Sequence, residues 1–251
     1  MIKGVDLSTW QKNVDYQALK DNGVEFAILR VGFGKDAGQK DEMFEEHYAG
    51  CKRVGIKIGV YHYSYCIDMN NAIKEAENCL SYLDGKELDL PVFYDLEESS
   101  ILSHCDPTEI SIIFCNRIKD AGYNAGVYAS LNWFNNYLSP YALLNEDIKL
   151  WVAQWNKELT ADFPVDVWQY TNSDEFGFDG DYLINELLLN EDSSDFEPSD
   201  DVIELDACKS MAVDVIYGKY GNGNQRKEML GNYYETVQDI VNDMYEIIKG
   251  E

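Results

Sequence analysis

The sequence predicts an α/β barrel with an irregular end, followed by an acidic tether and a small all-α module. Three observations carry this prediction. Strand-like and helix-like patterns alternate through the first part of the chain. The strand patterns are near-continuous apolar runs, as expected of parallel strands buried on both faces. After Leu189 the periodicity stops, the composition turns acidic, and only helical periodicity returns.

In chain order, Lys3–Asp6 reads as the first strand. Tyr16 to Asn22 follows as a short helix with Asp15 as its N-cap. Phe26–Val31 is a second strand, and Asp41 to Val54 has an amphipathic helical pattern. Lys57–Ser64 and Val92–Glu97 are strands on either side of a helix over Asn70–Leu83. Asp106-Pro107-Thr108-Glu109 opens the next helix, with an acidic cap and proline at the first helical position. Gly126–Ala129 is a fifth strand, with a short helix near Trp133. The rhythm then changes: Leu150–Trp155 and Val165–Tyr170 are strands with no long helix between them.

Residues 1–188 are thus expected to form the barrel, 189–206 the acidic linker and 207–251 a helical module. In the last of these, Lys209–Tyr217, Asn224–Leu230 and a stripe from Tyr234 to Ile248 read as three helices, with a turn at Gly221-Asn222-Gly223.

Charge divides the chain in the same way. The net charge is −26, made up of −16 over residues 1–188, −8 over 189–206 and −2 over 207–251. A chain this acidic lacks the basic footprint of a nucleic-acid binder. No stretch approaches the roughly 20 apolar residues of a membrane span. The N-terminus runs straight into a strand without the pattern of a signal peptide, so synthesis in the cytoplasm is expected. The six cysteines show no metal-type spacing and read as reduced thiols, several of them in the core. His62 lies inside a strand and reads as a packed or hydrogen-bonded side chain. No metal or organic cofactor is implied.

The candidate site begins with Asp95-Leu96-Glu97. An apolar strand ends in two carboxylates spaced two apart, on one face and roughly 6–7 Å from each other. A carboxyl near another in a partly dry site is pushed toward staying protonated, which suits a general acid. In parallel barrels the active site lies at the carboxyl ends of the strands. Asp6, Tyr61, Tyr63, Tyr128, Gln154 and Gln169 fall at such ends, along with Asp95 and Glu97.

Gly4–Gln11, Gly59–Tyr63, Val92–Glu97, Leu150–Trp155 and Val167–Thr171 occur in an order and spacing that resemble glycoside hydrolase family 25, the Chalaropsis-type lysozymes that include many phage endolysins. The resemblance covers about 1–188. It implies an irregular (β/α)5β3 TIM-like barrel that cleaves the MurNAc–GlcNAc β-1,4 bond of Gram-positive-type peptidoglycan. Without a signal-peptide pattern, phage-style release to the wall through a membrane lesion is expected, with export by another route as the alternative. On this resemblance Glu97 matches the general acid, Asp95 the carboxylate beside it, and Asp6 the acid ending the first strand. Tyr61, Tyr128, Gln154 and Gln169 match positions that line the sugar cleft. A further acid is expected after the Trp-Gln-Tyr-Thr strand, where Asp179 aligns best and Asp181 is the alternative.

The tail around Val213–Lys227 and Tyr234–Asn242 resembles the cell-wall-binding repeat of a choline-independent pneumococcal phage lysozyme. It implies wall binding, with Arg226 as the first expected ligand contact. The rival from a different class is a catalytically inactive carbohydrate- or wall-binding protein on the same barrel. The chemistry, too, has two routes. In both, Glu97 protonates the leaving oxygen. Attack then comes either from the substrate's own N-acetyl oxygen, steadied by Asp95, or from water activated by Asp179 or Asp6.

Overall fold

A computed structural model of the chain describes residues 1–173, 177–189, 208, 212, 215 and 223–249. It divides into two compact units, Met1–Glu191 and Asp192–Glu251. The expected linker and most of the expected helix Lys209–Tyr217 lie outside the described residues. Among those described, no helix is long and apolar enough to cross a membrane.

The first unit is a closed eight-stranded barrel: β1 (Ile2–Leu7), β2 (Phe26–Phe33), β3 (Lys57–Tyr63), β4 (Val92–Asp95), β5 (Ala125–Ser130), β6 (Lys149–Ala153), β7 (Val167–Thr171) and β8 (Asp179–Leu183). Strands β1 to β7 run parallel. β8 pairs antiparallel with both β7 and β1 and closes the ring. The segment 172–178 before β8 is shorter than the dozen or so residues a parallel crossover needs, so the chain must turn back. β8 is an element that the strand-by-strand reading of the sequence does not pick out.

Helices α1 (Tyr16–Asp21), α2 (Phe44–Val54), α3 (Met69–Leu83) and α4 (Pro107–Asp120) fill the first four crossovers; the short helices α5 (Leu131–Asn136) and α6 (Pro140–Asn145) share the fifth. Their starts follow capping chemistry. Asp15 accepts from the Ala18 amide, Asp68 from Asn71, Asp106 from Thr108 and Ser130 from Trp133. α2 differs from expectation because it begins at Phe44, not Asp41. The Asp41 carboxylate is taken by the Thr9 and Met43 amides and by Arg30 Nε, which makes it a tertiary clamp.

Alternation along the strands sorts the core into two layers. Val5, Leu7, Leu29, Val60, Val92, Tyr94 and Val152 face the helices and join Phe44, Ile110 and Phe114. Phe26, Ile28, Phe93, Tyr128, Trp151, Val167 and Leu183 fill the barrel interior. Trp151 is the centre of the interior layer, with the Phe93 ring 5.3 Å away and the Tyr128 ring 4.4 Å away. Two glycines make room for the rings. A Cβ at Gly4 would fall 2.3 Å from the Phe26 ring, and one at Gly126 would fall 2.5 Å from Phe93.

The second unit contains α7 (Asn224–Leu230) and α8 (Tyr234–Lys249). Cys208, Ala212 and Val215 are helical and buried, and they cluster with Leu230, Val237 and Val241.

Phe93 supports the floor on which the strand-end side chains rest. Phe93→Ala should cost about 3–5 kcal/mol of stability, the range for a buried phenylalanine truncated to a cavity; urea denaturation measures it.

Candidate active site

The carboxyl ends of the barrel strands gather five carboxylates. Asp6 ends β1, Asp95 ends β4, Asp179 and Asp181 stand on β8, and Glu97 follows Asp95 just beyond the strand. β1 and β8 place Asp6 opposite Asp179 in register. Asp6, Asp95 and Asp181 are buried, Asp179 is half-buried and Glu97 is exposed at the rim. Asp95 and Glu97 therefore differ in depth. The strand expected to reach Glu97 stops at Asp95, although Leu96 still donates its amide to the Tyr128 carbonyl. Leu96 turns into the helix-facing core between them.

Gln169 organises the centre. Its Nε2 donates to Asp6 Oδ2 at 2.8 Å, and its Oε1 accepts from the Tyr128 hydroxyl and from Trp155 Nε1, each at 3.0 Å. Two donors on one side and a carboxylate on the other fix which end of the amide is which. Below, Trp151 Nε1 donates to Asp181 Oδ1 at 2.8 Å. Asp181 Oδ2 has no N–H or O–H donor, yet Asp6 and Asp181 lie within hydrogen-bond reach of each other. Burial raises both acids, and Asp6 raises Asp181 further.

The electrostatics follow from crowding in a dry pocket. Burial first, and then the Asp179 charge, push Asp6 up to about 8, against the opposing hydrogen bonds from Gln169 and Asp181. Burial raises Asp95 well above the usual carboxylate range. Glu97 and Asp6 add to this, and Arg30 tempers it. Glu97 is raised by the loss of surrounding water and by Asp179, while Tyr128 favours its charged form. Asp179 thus acts electrostatically on both Asp6 and Glu97, whereas Asp181 lies deeper and is tied to Asp6 and Trp151.

Of the other residues singled out from sequence, Tyr128 and Gln169 join this centre. Tyr61 stands beside it, edge-on to Trp151 at 5.9 Å. Gln154 is not brought to the cleft. Its amide is closed on Thr160, donating from Nε2 to the hydroxyl and accepting the amide N–H at Oε1, 2.8 Å each. The β6 alternation that turns Trp151 and Ala153 inward turns Gln154 outward, and Trp155 reaches Gln169 in its place. Arg226 belongs to the second unit, where its Nη1 donates to Gln238 Oε1 at 3.1 Å.

His62 is buried, with Nε2 2.8 Å from the Gly34 carbonyl; burial lowers its pKa to about 4, so it is neutral. Cys51, Cys66, Cys79, Cys105 and Cys115 are free thiols. Among the described residues no cluster of His, Cys, Asp or Glu side chains is arranged to hold a metal. Arg30, Trp151 and Trp155 were not singled out from sequence. The only signal for Arg30 was a charge inside an otherwise apolar strand.

Carboxylates gathered at one mouth of the barrel, with rings and amides around them, define a TIM-like barrel with an acid-lined cleft. The chain belongs to glycosyl hydrolases family 25, whose family model matches residues 5–177, and a CW_7 repeat matches residues 209–244. It is 28% identical over 154 residues to an autolytic lysozyme of Clostridium acetobutylicum, a match covering 61% of this chain and 45% of that protein. The chain thus spans less than half the length of that relative. The catalytic domain of endolysin ply40 from bacteriophage P40 of Listeria monocytogenes superposes with a TM-score of 0.63 at 26% identity, covering 75% of this chain and 95% of that one. The CTP1L endolysin shares the fold with a TM-score of 0.66 at 24% identity, covering 75% and 68%.

Raised acids make stability depend on pH. Between ~4, the ordinary carboxylate value, and 8, the folded state holds protons that the unfolded chain has released, so stability falls as pH rises through this window. Asp6→Asn should flatten this decline by at least about 1.4 kcal/mol, the equivalent of one pKa unit. Melting curves of parent and variant across the window measure it.

Proposed function

We propose that the protein is an N-acetylmuramidase of the endolysin type, hydrolysing the MurNAc–GlcNAc β-1,4 bond of peptidoglycan, with Glu97 as general acid. The observation that carries this reading is an exposed carboxyl at the rim of the cleft, within reach of a sugar and backed by the buried Asp95 and Asp6, in a chain of this family; the loss of surrounding water and the Asp179 charge raise its pKa. Such a group keeps its proton closer to neutral pH and can deliver it to the glycosidic oxygen as the bond breaks.

Asp95 supports the same bond-breaking step from the other side of the sugar's anomeric carbon. Its Oδ1 is buried and has no hydrogen-bond partner among the described residues. A deep acceptor of this kind suits the N–H of a substrate acetamido group. Holding that N–H aims the acetamido oxygen at the anomeric carbon, and an ionised Asp95 then stabilises the positive charge that develops. Arg30 nearby favours that ionised form. Asp6 is a poor base at neutral pH because burial and the Asp179 charge push its pKa up to about 8. Asp179, facing the cleft near Glu97, is better placed to handle the water that completes hydrolysis. Trp155, Tyr61 and Tyr128 supply the rings and hydroxyls for sugar faces.

The CW_7 repeat supports wall attachment by the tail module, with Arg226 as a contact residue. A tail of net charge −2 carries little of the repulsion that the −16 barrel would meet at an anionic wall.

Glu97→Gln should lower the release of reducing ends from purified peptidoglycan by 10²-fold or more. Mass spectrometry of parent digests should place MurNAc at the new ends. NMR of early products should show retention at the anomeric carbon; inversion would replace acetamido attack with direct attack by water. A Glu97→Gln protein that clears walls as fast as the parent supports the inactive binding-barrel alternative instead.

Residues 1–188 alone should keep glycosidase activity on soluble fragments yet pellet less with purified walls than the full chain. Equal pelleting contradicts the role given to the tail.

A further inference from the structure

A groove of about 580 Å3 opens beside the acids, between β1, β2 and β3. Trp10, Phe33 and Tyr65 wall it with aromatic rings, and Arg30 faces it from β2. Tyr63 joins it to the catalytic mouth: it lines the groove, pairs in register with Asp95, and donates its hydroxyl to Glu98 at 2.9 Å. Trp10 is 81% exposed, an unusual position for the largest apolar side chain unless something packs on it.

Arg30 is held in a way that leaves most of its donors unused. Its Nε donates to Asp41 Oδ2 at 2.6 Å. Asp41 is fully engaged, since Oδ2 also accepts the Thr9 amide and Oδ1 the Met43 amide. The guanidinium has five N–H donors, and Nε is one. Neither Nη nitrogen has a hydrogen-bond partner among the described residues, although the side chain is only 14% exposed. Both nitrogens reach solvent and stay open to an incoming acceptor. The wall of the groove is tied down as well. The β2–β3 register shifts between Arg30 and Gly32, and the loop after β2 is tied to α3 by Asn78 Nδ2 donating to the Gly34 carbonyl and by the Gln39 amide donating to the Tyr82 hydroxyl. Lys40 also lines the groove, but it pairs with Glu45 and leans over the Phe44 ring, and Glu42 sits on the groove lining. Arg30 is therefore the one cation here both anchored and unspent.

We propose that this groove is a subsite for a carboxylate carried by the substrate, bound by the Nη nitrogens of Arg30 while the aromatic walls pack on the attached sugar or peptide. The proposal rests on the muramidase reading, which supplies the carboxylate. Each N-acetylmuramic acid carries a lactyl ether that ends in a free carboxylate when no peptide is attached. When a peptide is attached, the lactyl group becomes an amide and the peptide brings carboxylates of its own. A planar guanidinium with two parallel donors matches either.

The test measures binding rather than turnover. Full-length Glu97→Gln is titrated calorimetrically with GlcNAc–MurNAc, with the same disaccharide bearing a stem peptide, and with the carboxyl-amidated form of each. Amidation should weaken binding about 10- to 100-fold, the span of a charge-assisted hydrogen bond or a bidentate pair. Adding Arg30→Met should cause a comparable loss and abolish the difference between acid and amide. Lys40→Met should keep that difference. A penalty for amidating the peptide-free disaccharide identifies the lactyl carboxylate. A penalty confined to the peptide-bearing form identifies the peptide.

The proposal is overturned if amidation changes affinity less than 2-fold in both pairs, or if Arg30→Met retains the full penalty. The ligand arm needs no change at Arg30, so it decides even if Arg30→Met folds poorly. Failure of the parent to release reducing ends from walls would sink the muramidase reading alone. Wall cleavage without any discrimination between acid and amide would sink the subsite alone.

Discussion

Several carboxylates share one dry barrel mouth, and they cannot all be charged at once. That constraint shapes most of what surrounds them. Burial raises Asp6, Asp95 and Asp181 together, and each charge that survives raises its neighbours further. The chain meets the cost with neutral donors more than with cations: Gln169 on Asp6, and Trp151 on Asp181. Arg30 is the cation that tempers Asp95, and Asp41 holds it from behind. The result is a graded set of acids. A buried pair with raised pKa lies at the bottom, an acceptor without a partner among the described residues at mid-depth, and an acid at the rim.

The barrel makes this grading possible. Parallel strands bring their carboxyl ends to one side, so Asp6 and Asp95 arrive there without further design. β8 runs the other way, and its Asp179 and Asp181 enter from the opposite strand direction. Antiparallel register with β1 sets Asp179 opposite Asp6 and Asp181 opposite Gly4, one pleat deeper. The side chain that Gly4 lacks leaves space that the Phe26 ring takes up. Trp151 links the two layers of function. Its ring fills the interior against Phe93 and Tyr128, while its N–H reaches the deepest acid. Packing and proton placement therefore depend on one side chain.

The two units differ in charge as well as in fold. A strongly acidic barrel and a nearly neutral helical module sit on either side of a segment holding eight acids and no bases. The barrel's charge opposes general adhesion to anionic surfaces.

The sequence by itself determined the barrel's alternating elements, most helix starts, the division of charge and the acid ending the fourth strand. Each depends on residues a few positions apart. Apolar runs select buried strands, and Asp15 and Asp106 cap the helices that follow them. Other features depended on residues far apart in the chain. Gln169 meets Asp6 across 163 positions, and Arg30 finds Asp41 and the groove through a register shift in β2. Asp41 looked like the start of a helix and became a clamp, because two amides and a guanidinium converge on it. Gln154 and Trp155 are adjacent in sequence, and only the pleat of β6 decided which of them reaches Gln169. Which acids meet at the barrel mouth was settled by closure of the barrel, because only closure brings β8 against β1.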